Sequence, residues 1–377
     1  MSCNFLQNQV KTARVMVVGC GALGNEVLKN LVLMGVKHLV VVDFDIVEIG
    51  NLTRSVLFNI EDARARRRKV DVVAERLSSM NPAVEIKTIF GDVTYDVGLG
   101  LVRSVDVVIG CVDSRWARYS INRLCMRANK PWVDGGISDL EGTARVFIPG
   151  KNCYACNLGP EGRKDLARRL PCSGMILRHE KAGSAPTTSI IASIIGAVQV
   201  QEALKLIHPE KLYSGELTSL CGKMFYYEGE HLTVKTADFQ AYDDDCAEHE
   251  CWEPIDTCTL TLSTTVENAL DILSQQLNAK DVAICLSGDS FVDYVSERAN
   301  DSRTEVMLPA RKVEAFLEQH PHLSGVLLSG LYQHEYRRVD KQFPYLTLSL
   351  GELGIPALDV LHVVADGRDF YLEMSEV

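Results

Sequence analysis

Six residues in the first third of this chain have the types and order that a nucleoside triphosphate needs. Asp43 and Asp45 close an apolar run, Leu39 to Val42. Asn51 and Arg54 follow within a dozen residues, then Lys69, and Asp113 lies just past a second apolar run, Val105 to Cys111. A carboxylate at a strand end accepts from ribose hydroxyls. Arg presents a forked, permanent cation to phosphate oxygens, and Asn can donate to one. Lys69 is followed by Val70, Val72, Val73 and Leu77, which fix one helix face inward and turn a lysine at the helix start back toward the nucleotide. Asp113 reads either as a helix N-cap or, facing a triphosphate, as a Mg²⁺ ligand.

Thiols supply a second chemistry. Cys153-x-x-Cys156 and Cys246-x4-Cys251 are two short-spaced pairs, as a tetrahedral structural Zn²⁺ site requires. His249 can replace either member of the second pair, because Cys246-x-x-His249 is also ligand spacing. Such a site contributes on the order of 10 kcal/mol to folding. Cys172 stands apart. It lies in a polar stretch after Arg163, Lys164, Arg168 and Arg169, and cationic neighbours favour the thiolate. Cys172 is therefore the candidate nucleophile. Cys20, Cys111, Cys125 and Cys285 lie in apolar segments and read as small core residues.

The elements that must position these groups begin at Val15. Val15 to Val18 is an apolar run, Gly19, Gly21 and Gly24 have G-x-G-x-x-G spacing, Asn25 to Leu33 reads as a helix, and Leu39 to Val42 is the next strand. Glycines in such a turn let the backbone approach a phosphate at a helix N-terminus. Ala63 to Ser79 reads as one helix and Val84 to Phe90 as a strand. Arg115 to Asn129 reads as a helix, and Trp132 to Gly136 and Ala144 to Ile148 as strands. This alternation predicts an α/β fold, a doubly wound and mostly parallel sheet. Residues 157–185 form a polar crossing loop that carries Cys172, and Pro186 to His208 reads as a long buried helix.

Beyond Trp252-Glu253-Pro254 the pattern changes. Thr259 to Leu262 alternates as a strand, Val266 to Leu277 is amphipathic, and Asp281 to Leu286 is a strand. Gly325 to Leu328, Leu346 to Leu348, Leu361 to Val364 and Phe370 to Leu372 follow, and Leu348 to Leu353 reads as a short helix capped by Gly354. The division is thus 1–252 and 257–377, the second a small α+β module.

The chain has 377 residues, 46% hydrophobic, with net charge −11. That balance gives no support for a nucleic-acid partner and suits a basic protein partner better. Met1 to Gln9 shows no cationic region followed by an apolar block. The most apolar helix, Thr187 to Leu206, is interrupted by Ser193, Gly196, Gln199 and Glu202, too often to span a bilayer. The expectation is a cytoplasmic protein with no membrane partner. Twelve cysteines in such a chain are not a disulfide framework.

The first domain resembles the ubiquitin-activating enzyme superfamily, which includes the ThiF and MoeB adenylyltransferases. Gly19-Cys20-Gly21-Ala22-Leu23-Gly24-Asn25-Glu26 is similar to its nucleotide loop. Asp43-Phe44-Asp45-Ile46-Val47 through Asn51-Leu52-Thr53-Arg54 is similar to its D-x-D-x-V … N-L-x-R-Q signature, with Ser55 for Gln. Arg68-Lys69 resembles its P-K helix start, Cys111-Val112-Asp113-Ser114 its strand end, and the two cysteine pairs its zinc site, with a wider second spacing. The resemblance implies a Rossmann-like adenylation domain. In it Asp43 binds ribose, Asp45, Asn51, Arg54 and Lys69 hold the ATP phosphates, Asp113 binds Mg²⁺, and Cys172 forms a thioester. Residues 257–377 resemble the ubiquitin-fold domain that recruits a conjugating enzyme.

The implied activity is adenylation of the C-terminal glycine of a ubiquitin-like protein, by a homodimer whose N-terminal residues offer only Lys11 and Arg14 for a partner's site. The alternative is an adenylyltransferase for a sulfur-carrier protein or peptide C-terminus, without a thioester. An inactive scaffold has no need of Arg54, Lys69 and Asp113, and a nicotinamide dehydrogenase would need a hydride-transfer acid that is not evident.

Overall fold

The computed structural model describes residues 4–159, 161–162, 164, 187–239, 241–286, 290–296, 303–309, 312–313, 316, 319–320 and 331–375. Cys172 and most of 157–185 lie outside them. Two compact units divide between Trp252 and Glu253.

The first unit is built on eight strands: β1 (Arg14–Val18), β2 (His38–Asp43), β3 (Glu85–Phe90), β4 (Val107–Gly110), β5 (Trp132–Ser138), β6 (Glu141–Phe147), β7 (Lys223–Glu228) and β8 (Thr233–Asp238). They run in the order β3-β2-β1-β4-β5-β6-β7-β8. Pairings from β3 to β5 are parallel, and β6 to β8 extend the sheet antiparallel. The strand order reverses between β1 and β4, and ligands bind at the carboxyl ends of strands at such a switch point.

Its helices are α1 (Asn4–Thr12), α2 (Ala22–Met34), α3 (Ile60–Arg64), α4 (Lys69–Met80), α5 (Leu99–Arg103), α6 (Arg115–Arg127), α7 (Ser189–Leu206) and α8 (Pro209–Tyr213). Successive strand residues face opposite layers. Val15 and Val17 of β1 join Val27, Leu28 and Leu31 of α2, Val73 of α4 and Ile195 of α7 in one core. Met16 and Val18 face Val102 of α5 and Ile121 and Cys125 of α6 on the other side. By length and hydropathy alone α7 passes as a membrane-crossing helix. In this fold its Ile191, Ala192, Ile195, Gln199 and Val200 are buried.

The helix read over Ala63 to Ser79 is two. Arg66 has φ +49, and Arg68 is extended at φ −62, ψ 133 before α4 begins. That break lets Arg68 bridge Ile46 in antiparallel fashion, with Val47 N donating to Arg67 O at 2.8 Å and Lys69 N to Asp45 O at 3.0 Å. A continuous helix would have bonded internally there; the break hands those backbone groups to the Asp45–Val47 segment.

The second unit holds β9 (Ile255–Thr257), α9 (Val266–Leu277), β10 (Val282–Cys285), β11 (Ser290–Ser296), β12 (Arg303–Pro309), β13 (Leu331–Glu335), β14 (Arg338–Val339), β15 (Val360–Ala365) and β16 (Arg368–Glu373). One sheet has the order β14-β10-β15-β16-β9 and a smaller one β12-β11-β13. Val266, Ala269, Leu270 and Leu273 of α9 pack on Ile284, Leu361, Val363 and Leu372 of the larger sheet. Thr259 to Leu262 is not a strand: the strand there is Ile255–Thr257, which pairs with β16 in parallel and ends before Thr259, and Leu346 to Leu348, also read as a strand, lies in turns. Leu348 to Leu353 forms turns, not a helix: Leu353 N donates to Ser349 O and Gly354 N to Gly351 O, each at 3.0 Å. Gly325 to Leu328 lies outside the described residues.

Candidate active site

The glycine turn sits on the carboxyl ends of β1, β2 and β4. Gly19 N donates to Val42 O at 2.8 Å and Cys111 N to Val18 O at 2.7 Å. A Cβ at Gly19, where φ is +98, would lie 2.4 Å from Cys111 O, and one at Gly24 would lie 1.9 Å from Gly19 O. Two of the three glycines are thus demanded by the packing of the turn itself. Gly21 faces open space. It caps α2, whose first-turn N–H groups have no intrahelical acceptor, so the open side of the turn is the side that offers donors to an anion.

Asp43 ends β2 and is buried. Its Oδ2 accepts from Cys20 N at 2.6 Å and its Oδ1 from Asp45 N at 2.7 Å. It thereby clamps the glycine turn to β2, a role that its strand-end position alone does not announce. Each oxygen keeps a lone pair for a further donor. Burial raises the Asp43 carboxyl above its ordinary value, with Lys69 and the two backbone donors pulling the other way.

Lys69, at the start of α4, is only 6% exposed, and its Nζ donates to Asp45 Oδ2 at 2.7 Å. Burial alone would lower its ammonium; Asp43 and Asp45 outweigh that and hold it above the ordinary lysine range. Asp43, Asp45 and Lys69 are therefore one centre, as their order in the chain suggests. Asn51 lies in a short 3-10 turn, Ile49–Asn51. Its Oδ1 accepts from Glu48 N at 3.0 Å, and its backbone carbonyl from Arg54 N at 3.1 Å. Arg54 is half-buried. Asp113 is exposed just past β4, and Ser114, not Asp113, caps α6 by accepting from Ala117 N at 3.0 Å. Among the described residues Lys69 forms its ion pair with Asp45, and none joins Asp113 to Lys69 or Arg54. The exposed Asp113 is a hard oxygen donor of the kind Mg²⁺ takes.

Three buried groups beside this centre were not singled out from the sequence. Asn25, fully buried, bonds both the glycine turn and Leu57. Asp134 of β5 is fully buried between Arg118 Nε at 2.9 Å and Arg145 Nε at 3.0 Å. Burial would raise its carboxyl, but Arg145 and Arg118 hold it below the ordinary range. Gln199 of α7 donates from Nε2 to Gly110 O at 2.9 Å, pinning the end of β4. The available signal was a polar residue inside an apolar run, visible at Trp132-Val133-Asp134 and in Ile195 to Val200.

The metal-ligand pairs converge, with one change. Cys153, Cys156, Cys246 and His249 bring their ligand atoms within 4.8 Å of one another. Cys153 Sγ lies 3.6 Å from Cys156 Sγ and 3.8 Å from Cys246 Sγ, and Cys156 Sγ lies 3.1 Å from His249 Nε2. A tetrahedral zinc with Zn–S of about 2.3 Å has S···S edges of about 3.8 Å, so the donor set fits Zn²⁺. His249 takes the fourth place instead of Cys251. The 3-10 turn Ala247–His249 brings Cys246 and His249, three apart, to one side. Cys251 is exposed and turns to Arg127 O at 3.8 Å. Burial lowers His249, which favours the neutral, ligating imidazole, and Tyr242 stacks on its ring at 4.2 Å.

The ThiF family model matches residues 3–248. The chain belongs to the ThiF family. Among relatives of this ThiF-family chain, the SAMP-activating enzyme E1 of Haloferax volcanii is 30% identical over 238 residues, covering 63% of this chain and 81% of that protein. The sulfur carrier protein adenylyltransferase of Thermus thermophilus is 32% identical, covering 53% and 71%. The adenylyltransferase and sulfurtransferase MOCS3 of Sus scrofa is 32% identical over 215 residues, covering 56% of this chain and 44% of that protein. The solved structure of E. coli MccB with ATP shares the fold, with TM-score 0.52 and 20% identity over 66% of this chain and 69% of that one. The ThiF match spans the glycine turn and three of the four cluster residues, Cys153, Cys156 and Cys246, and ends one residue before His249.

Proposed function

We propose that the chain uses ATP to activate the C-terminal carboxylate of a ubiquitin-like protein. The carboxylate attacks the α-phosphate, an acyl–phosphate bond forms, and pyrophosphate leaves. The Cys172 thiolate then attacks the acyl carbon, a thioester forms, and AMP leaves. The acyl group passes on to a conjugating enzyme docked on residues 257–377. The carrying observation is the buried Lys69 held against Asp45 and Asp43 beside the glycine turn. Lys69 and Arg54 offset charge that builds on the phosphates, an effect of about 10²–10³ in rate for a single donor. Asp113 would hold Mg²⁺, which when bound shields the triphosphate from the attacking carboxylate. Cys153, Cys156, Cys246 and His249 would hold Zn²⁺ for structure.

The activating-enzyme relatives support this reading: the SAMP-activating enzyme above, and the SUMO-activating enzyme subunit 2 of Dictyostelium discoideum, 32% identical over 151 residues, covering 40% of this chain and 22% of that protein. The sulfur-carrier relative favours the second reading, adenylation with no thioester. Pyrophosphate exchange with candidate small proteins ending in glycine tests the first step. Cys172→Ala should keep exchange and lose the thioester band on a non-reducing gel. A thioester that survives Cys172→Ala makes Cys172 the wrong residue, and exchange with no thioester in the parent chain removes the relay.

A further inference from the structure

Asn25 is the fourth residue of α2 and is completely inaccessible to solvent. Its amide is used at both ends. Nδ2 donates to Cys20 O at 2.7 Å and Gly21 O at 3.0 Å, while Oδ1 accepts from Leu57 N at 2.8 Å. The first two acceptors belong to the glycine turn. The third partner lies three residues after Arg54, on the short segment where Phe58 N donates to Ser55 O at 3.3 Å and Arg54 N to Asn51 O at 3.1 Å. Ser55, Leu57 and Phe58 are buried, so this segment cannot shift without disturbing the core that Leu57 and Phe58 share with α2.

We infer that Asn25 is a positioning residue for nucleotide binding: it fixes Arg54 relative to the glycine turn, so that the cation and the turn's N–H donors engage one triphosphate together. This rests on the proposed use of ATP. The geometry separates it from ordinary helix capping. A cap needs only the turn-side bonds, whereas the Leu57 bond ties a segment thirty-two residues away. An apolar residue of similar size would fill the space but join nothing. A buried amide that uses both its N–H groups and its oxygen rigidifies what it joins.

The test is a double-mutant cycle read by calorimetric MgATP binding on the full chain. Arg54→Ala should weaken binding at least tenfold in the parent and less than threefold in the Asn25→Ala background, because a mispositioned Arg54 has less to lose. A purely structural Asn25 would lower Tm and leave the two effects multiplicative, and that result overturns the inference alone. Asn25→Ser, polar but too short to reach Leu57, runs the same cycle where Asn25→Ala does not fold. Failure of the parent chain to bind MgATP overturns the ATP reading and this inference with it.

Discussion

Lys69 is bound to Asp45 twice: its Nζ donates to Asp45 Oδ2 at 2.7 Å and its backbone N–H donates to Asp45 O at 3.0 Å. The second bond exists because α4 starts at Lys69 and not six residues earlier. It fixes the root of the side chain, and Asp45, with its side chain 53% exposed, fixes the tip. The ammonium is thus held beside the glycine turn before any nucleotide arrives, so little reorganisation remains when charge develops.

Lys69→Met should reduce pyrophosphate exchange by about 10²–10³. Lys69 is also what pulls the Asp43 carboxyl down against its burial. In Lys69→Met the Asp43 carboxyl should therefore move further up, read by carbon-detected NMR titration. An Asp43 titration that stays put, or moves down, contradicts the proposed coupling.

Chelation should unfold the part of the first unit that the metal cluster closes. One zinc per chain is expected by mass spectrometry of the metal content. His249→Ala should lose that zinc, whereas Cys251→Ser should keep it. With structural zinc sites contributing on the order of 10 kcal/mol, the His249 variant should show a large fall in Tm. Zinc retained by His249→Ala and lost by Cys251→Ser would restore Cys251 as the ligand.

Asp134 predicts a dependence on acid. Its carboxyl is held below the ordinary value by Arg145 and Arg118 despite burial. Its stabilising effect is therefore fully present above about pH 4 and lost as pH falls through the lowered value. Asp134→Asn leaves two arginines facing a neutral amide, a cost of about 3–5 kcal/mol, and should lower Tm at pH 7 by roughly 10 °C. The stability lost below pH 4 should be smaller in the variant than in the parent, as acid melts of the two would record.

Gly24→Ala should abolish MgATP binding while sparing the second unit. Its Cβ would lie 1.9 Å from Gly19 O, backbone that cannot give way without lifting the turn off Cys111. Gly21→Ala, with open space around it, should fold normally. Both outcomes are read by MgATP calorimetry and far-ultraviolet circular dichroism.

Much of this was legible in the chain because local rules and the fold agree. The glycine spacing, the apolar runs and the two strand-end aspartates place the turn, β1, β2 and Asp43 from sequence alone. Lys69 was legible for the same reason, since the valines after it fix its face. What was hidden depends on partners far along the chain. Asn25 meets Leu57, and Asp134 meets Arg118 and Arg145, only after the sheet has assembled. The split between α3 and α4 was missed because helix-favouring residues run through it, and only the bridge to Ile46 breaks them. The choice of His249 over Cys251 turned on a single 3-10 turn, which spacing alone left open.

The metal cluster draws Cys153 and Cys156 to Cys246 and His249, whose backbones are widely separated along the chain. With the ion in place the intervening length becomes a closed ring, tied at its neck. A protease that severs the ring once leaves two covalent pieces that still migrate together under native conditions. With β7 also paired to β6 and α7 packed in one core with α2, a cut between Cys156 and α7 need not release either half of the domain.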